Sequence, residues 1–266
     1  MSVACGMARG ARDDSQRSFY GAVALLFAVS AGATIGWCAS MSTIGMPMPG
    51  GWTMSMTWMR MPGQTWSAAG ASFLGMWMLM MTAMMLPSLT PALLRYRRVA
   101  CGHSDGRLGL RTALVGAGYF MVWAALGTTV FPLGIAVAAA EMKHPALAEA
   151  VPLAVGVVVL LAGALQFTAW KARQLACCRV SPDLSYRVST GTGAAVRHGM
   201  YLGLRCAACC AGLMLVLLAI GVMDLRAMAL ITAAITIERL AGECAARVIG
   251  GLVSVAGLYL IGRALL

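Results

Sequence analysis

Charge is what this sequence most lacks. Only 11% of its 266 residues are Asp, Glu, Lys or Arg, less than half of the ~25% in an ordinary soluble domain. With 60% hydrophobic residues and a mean hydropathy of +0.81, the chain cannot cover a globule with polar surface. That excludes a soluble enzyme, a secreted disulfide scaffold and a disordered chain. Histidine is scarce, and the three present (His103, His144 and His198) have no spacing that suggests a zinc or haem site. Lysine is nearly absent: Lys143 and Lys171 stand against eighteen Arg. No Ser-His-Asp arrangement, phosphate-binding loop or paired carboxylate occurs, so hydrolytic and nucleotide chemistry are set aside. The net charge of +11 would point to nucleic acid in a soluble protein. Here the bases fall between apolar runs, where they set topology, and no nucleic-acid partner is expected.

What is present is a series of apolar segments, each near the ~20 residues that cross ~30 Å of hydrocarbon. Seven are expected, near 19–41, 66–89, 112–140, 147–170, 204–222, 225–240 and 244–265. The third is long enough to tilt or break around Gly127 and Pro132. The sixth is the shortest, bounded by Asp224 and Glu238. The fold class is therefore all-α, a polytopic transmembrane bundle forming one integral membrane domain over 1–266. Arg9, Arg12 and Arg17 precede a first span too long for the apolar region of a signal peptide, so it is expected to remain as an anchor behind a cytoplasmic tail, 1–18.

The connections alternate in charge. One side holds Arg9, Arg12, Arg17, Arg95, Arg97, Arg98, Arg107, Arg111, Lys171, Arg173, Arg179, Arg187, Arg197, Arg205, Arg239 and Arg247; the other holds Arg60, Lys143, Arg226 and Arg263. Sixteen against four places the amino terminus inside and the carboxyl terminus outside. The expected location is the bacterial inner (plasma) membrane, with the lipid bilayer as the first partner.

Two residue types are over-supplied: 21 Met and 9 Cys. The densest cluster is Cys206-Ala207-Ala208-Cys209-Cys210. On a helix, spacings of three and four put all three thiols on one face. If the fifth span starts here, the free amides and positive dipole end of the helix favour thiolates, and Arg205 adds a charge. Such thiolates ligate soft ions such as Cu(I), or act in disulfide exchange. Cys177-Cys178 falls at the same face, and Cys178 is a candidate ligand. Cys5, Cys101 and Cys244 are isolated. Cys38 is the one Cys near the outer face, which leaves no outer disulfide. Gln166 lies where it can bond between helices or line a site. Glu238 and Arg239 read as a boundary pair, and His198 is the His nearest the cluster in sequence.

The second span carries Met76, Met80 and Met84 on one stripe and Met78, Met81 and Met85 on the next. Thioethers are soft neutral ligands, although Met also simply fills gaps in helix cores. Met41, Met46, Met48, Met54, Met56, Met59 and Met61 crowd the outer 42–65 connection and its edge. They are candidate Cu(I) collectors covered by Trp52 or Trp58, or else part of an amphipathic segment in the interface.

Three motifs carry a resemblance. They are Trp77-x-x-Met80-x-x-Ala83-Met84-Met85-x-Pro87; Gln166 ahead of Cys178-Arg179-x-x-Pro182; and His198-Gly199, then Cys206-x-x-Cys209-Cys210-x-x-x-Met214, then Gly221-Val222-Met223-Asp224-Leu225-x-x-Met228. Over about 66–262 the chain resembles the bacterial family of predicted metal-binding integral membrane proteins, a domain of unknown function. Gln174 stands where that family usually has an earlier Cys, and Ala211 where an aromatic usually follows the double Cys. The resemblance implies metal binding and no reaction.

The function expected from these readings is Cu(I) handling: transport, chaperoning or loading of a copper-dependent enzyme, with a soluble metallochaperone as another partner. The ligands would be Cys206, Cys209 and Cys210, with Met80, Met84 and Met214 on the membrane side and Cys178 from the neighbouring helix. Zinc is the competing ion. The alternative is a membrane thiol-disulfide oxidoreductase using Cys206-x-x-Cys209; whether the chain is an enzyme at all is left open.

Overall fold

The computed structural model describes residues 2–41, 45–60, 63–100, 108–179 and 191–266. Met61, Cys101, His103, Arg107, Pro182 and Arg187 lie outside these residues, as do the side chains of Cys5, Arg9, Arg12, Met41, Met56 and Arg179. Eight α-helices follow in chain order: α1 (Ser2–Met41), α2 (Trp66–Ala100), α3 (Leu108–Lys143), α4 (Pro145–Leu165), α5 (Ala169–Arg179), α6 (Thr192–Ile220), α7 (Leu225–Ala241) and α8 (Glu243–Leu265). Between α1 and α2 stands an antiparallel hairpin, β1 (Gly45–Met48) with β2 (Trp52–Ser55), pairing Met46 with Met54. Its Pro49-Gly50-Gly51 turn puts both glycines at positive φ (93° and 76°), which residues with a Cβ rarely adopt.

Six helices are long and apolar enough to cross a membrane, and the chain is a multi-pass membrane protein. Its surface is inverted accordingly: Leu25, Leu133, Leu230 and Leu252 are 65%, 65%, 71% and 67% exposed, as side chains facing lipid are. The expected sixth span, α7, is not among these six; it has 17 residues, about 25 Å at 1.5 Å per residue. It nonetheless runs the depth of the bundle. Met223, just before it, touches Cys38 near the end of α1 at 3.7 Å, while Glu238, near its other end, meets Lys171 of α5.

Neighbouring helices fix their directions by side-chain contacts. Arg97 of α2 donates to the carbonyl of Ser15 on α1 (3.1 Å), and the Trp77 indole donates to the carbonyl of Trp123 on α3 (2.9 Å). Helices α1, α3, α6 and α8 run one way; α2, α4 and α7 run the other. The hairpin caps one end, and α5 lies at the opposite end with the thiols, termed the thiol end below. Trp52 Nε1 donates to Ala148 O (2.9 Å), and the Trp58 ring lies over Gly134 and 5.4 Å from the Phe73 ring. The two Trp of the outer connection thus dock onto the bundle, and Met54 is buried beneath the hairpin.

Two helix pairs meet through glycines. A Cβ on Gly118 would collide with the Val196 carbonyl of α6, and one on Gly199 with the Val115 carbonyl of α3. Helices α4 and α8 close similarly, where a Cβ on Gly257 would sit 2.5 Å from Leu160 N and one on Gly163 2.7 Å from Ser254 N. Contacts of this kind replace the hydrophobic drive that helices in lipid lack. Helix α3 stays continuous through Gly127 and Pro132. Gly127 serves instead as the flat spot against which the Trp77 ring packs.

Candidate metal centre

The thiol cluster does not sit at a helix start, as the sequence reading expects. Helix α6 begins at Thr192, so Cys206 lies almost four turns inside it. There the backbone amides are spent within the helix, and the free-amide argument for thiolates fails. Arg205 does not supply the charge either: half-buried, it turns to the Tyr201 hydroxyl, to which it donates at 3.0 Å. The cation that does reach the cluster is Arg239 of α7, whose charge acts on Cys206, Cys178 and Cys209.

The three thiols divide between two places. Cys206 (1% exposed) and Cys210 (1% exposed) lie together in the main core, with Cys210 Sγ donating to Ala207 O at 3.8 Å. The Tyr119 hydroxyl of α3 lies 2.8 Å from Cys206 Sγ, and the Met85 thioether of α2 lies 3.8 Å from it. Cys209 turns the other way, into a small cluster with Leu175, Ala246 and Cys178. Cys178 and Cys209 are themselves hydrogen-bonding neighbours, and Cys178 also donates to Arg205 O at 3.3 Å. The contact with Cys209, helped by burial, pushes the Cys178 thiol up. Among the described residues no three His, Cys, Asp or Glu side chains converge tightly enough to hold an ion by themselves. Thioethers therefore matter to any soft-ion site here.

Below the thiols lies a buried polar knot. Lys171 and Glu238 form an ion pair of 2.6 Å with side chains 5% and 2% exposed. Lys171 Nζ also donates to Cys209 O (2.7 Å), and Gln166 Nε2 donates to Glu238 Oε1 (2.7 Å). Glu238 is thus not a boundary partner of Arg239; it joins α4, α5 and α7, with Lys171 reaching α6. Desolvation makes such a pair costly unless every group is satisfied, and these hydrogen bonds supply the satisfaction.

Met80 and Met84, two of the expected ligands, are buried in the core (1% and 2%), as is Met214 (7%). The thioether that touches Cys206 is that of Met85, on the neighbouring stripe. His198 does not join the cluster; it stacks on Tyr96 at 5.6 Å, two turns before Cys206. Sequence reasoning also missed Tyr119, Lys171 and Arg239, which come from three different helices. At the thiol end a pocket of about 90 Å³ is walled by Pro87, Ser88, Tyr119, Cys178 and Arg239 among others. Ser88 Oγ and the Nε and Nη2 atoms of Arg239 are buried there without hydrogen-bond partners.

No match was found among curated proteins, and none among solved structures. A family model described as PpoB2, copper chaperone, matches residues 74–260, which takes in α2 from Leu74, the thiol-bearing α6, the polar knot and most of α8. On that match, over most of its length, the chain belongs to the PpoB2 copper-chaperone family.

Proposed function

We propose that this protein is a membrane Cu(I) carrier that accepts the ion at its thiol end and passes it on to a copper-dependent enzyme. The observation that carries the reading is the sulfur set around Cys206: Cys210 on the same helix face and the Met85 thioether at 3.8 Å. Two thiolates and one thioether form a soft, low-coordinate set that suits Cu(I) and leaves divalent oxygen-seeking ions poorly served. Cys178 and Cys209 form a second pair of thiols toward α5, next to the pocket, and serve as the entry to it. Met84, the residue before Met85, Met80, a little over one turn from Met85 along α2, and Met214 on α6 continue the run of soft donors toward the hairpin end. The arginine distribution puts the thiol end in the cytoplasm, where Cu(I) and thiols both stay reduced.

The oxidoreductase alternative asks Cys206 and Cys209 to exchange with each other. Their thiols face different partners, Cys210 for one and Cys178 for the other, which supports ligation over exchange.

The test is Cu(I) titration of the reduced, purified protein against a chromophoric competitor. Wild type and Cys244→Ser, which alters an exposed thiol remote from the core, should bind alike. Cys206→Ser should lose most of the affinity. Equal binding by Cys206→Ser would remove Cys206 as a ligand, and a trapped mixed disulfide in a metal-free wild type would favour exchange.

A further inference from the structure

We propose that Arg239 is the counter-charge that makes the Cys206–Cys210 site prefer a monovalent soft ion over a divalent one. The inference rests on the Cu(I) reading above and asks what in the site distinguishes Cu(I) from Zn²⁺, since both accept thiolates. Arg239 is tied down at one corner: its Nη1 donates to Ser88 O of α2 at 3.2 Å. Its Nε and Nη2 are buried with no hydrogen-bond partner, although this edge of a guanidinium ordinarily meets an anion. The carboxylate next to it in sequence is not available. Glu238 is held by Lys171 and Gln166, and its charge is cancelled there. Arg239 shares its pocket with Tyr119 and Cys178, and the Tyr119 hydroxyl reaches Cys206 Sγ at 2.8 Å, so the thiols are the anionic groups within its surroundings.

The charge balance then decides. Two thiolates with Cu(I) carry one net negative charge, and a thioether adds none. Arg239 brings the buried assembly to zero. The same ligands with Zn²⁺ are already neutral, so Arg239 would remain as an uncompensated buried cation, which low-dielectric surroundings penalise heavily. The site therefore favours charge +1, in addition to whatever preference softness confers. Remoteness from the helix start deprives the thiols of the dipole, and this guanidinium supplies the positive charge in its place.

The experiment uses the full-length reduced protein in detergent, with Cu(I), Ag(I), Zn²⁺ and Cd²⁺ titrated by competition. Ag(I) and Cd²⁺ are isoelectronic soft ions that differ by one charge, so their ratio reads valence with softness nearly matched. Arg239→Gln should weaken Cu(I) and Ag(I) by about 30-fold or more, the size expected when one member of a buried charge pair is truncated. Zn²⁺ and Cd²⁺ binding should hold or strengthen. Arg239→Lys should retain most of the wild-type Ag(I)/Cd²⁺ ratio, which a purely structural role would not predict. Arg239→Met, which asks for no hydrogen-bond partner, replaces Arg239→Gln should the latter not fold. An unchanged ratio in the charge-removing variant, or an equal loss for all four ions, overturns the proposal while leaving copper binding intact. A folded wild type that takes up no Cu(I) overturns the site reading itself and the selectivity argument with it.

Discussion

Removing Glu238 or Lys171 alone should harm the protein far more than removing both. Their side chains are 5% and 2% exposed and 2.6 Å apart, so either single change strands a buried charge. Breaking such a pair from one side costs about 3–5 kcal/mol, a large part of the 5–15 kcal/mol by which folded proteins are usually stable. Lys171→Met also removes the second hydrogen bond that the Cys209 carbonyl accepts beside its bond within α6, adding about 1 kcal/mol. In the double variant Lys171→Met/Glu238→Gln no charge remains. Gln166 can still donate to the new amide oxygen, and the residual cost is the lost Lys171–Cys209 hydrogen bond and imperfect packing, about 1–3 kcal/mol. The two single losses together amount to roughly 7–11 kcal/mol, so the double-mutant cycle should show a coupling of about 4 kcal/mol or more, against the ~0.5 kcal/mol within which independent sites add. Equilibrium unfolding in mixed micelles, followed by tryptophan fluorescence, measures all four corners of the cycle. Additive losses would refute the claim that the pair is buried as a mutually dependent unit.

Met85→Leu should weaken Cu(I) binding with less than ~1.5 kcal/mol change in stability, because the volumes nearly match; Met80→Leu/Met84→Leu in parallel tells direct ligation by Met85 from the wider run, and unaltered affinity in both returns the methionines to packing. Tyr119→Phe should cost about 1–3 kcal/mol in stability through loss of its buried bond to Cys206, read by the same unfolding assay. Gly199→Ala should prevent α3 and α6 from closing and lower the yield of folded protein, whereas Gly212→Ala, whose Cβ would find its nearest neighbour at 3.6 Å, should be tolerated; equal yields would contradict the seam. Exposed Cys177 and Cys244 should react with an impermeant maleimide in inverted vesicles and not in intact cells; labelling in intact cells would reverse the orientation.

The long apolar runs made α1 to α4 and α8 legible, because twenty uncharged residues have few alternatives in water or lipid. The start of α6 was not. Residues 192–203 contain Gly193, Gly199, Gly203 and Arg197, a composition that reads as a loop. Two of those glycines are instead the surface on which α3 rests, with Gly203 packed against Tyr119 and Val122. The same error moved Cys206 to a helix end and assigned its electrostatics to the wrong arginine. Helical spacing rightly grouped Cys206 with Cys210, but rotation by one residue's ~100° was enough to send Cys209 to another neighbour. That the Met85 thioether, and not that of Met84, lies against Cys206 was illegible for a related reason: which methionine stripe meets α6 depends on how α2 is rotated against it, and sequence periodicity carries no such phase. Lys171 and Glu238 are 67 residues apart, and no local pattern joins them.

The meeting of α3 and α6 through Gly118 and Gly199 has a consequence for how freely this sequence can drift. Main chain rests on main chain there, so the depth of Cys206 relative to Tyr119 is fixed by the shape of two peptide backbones and hardly by the side chains around them. The outward leucines can be exchanged for other apolar residues as the surrounding lipid changes without moving a sulfur atom. Variation is thereby steered to the periphery, and a handful of positions without side chains keeps the interior coordinates constant while most of the sequence is at liberty to change.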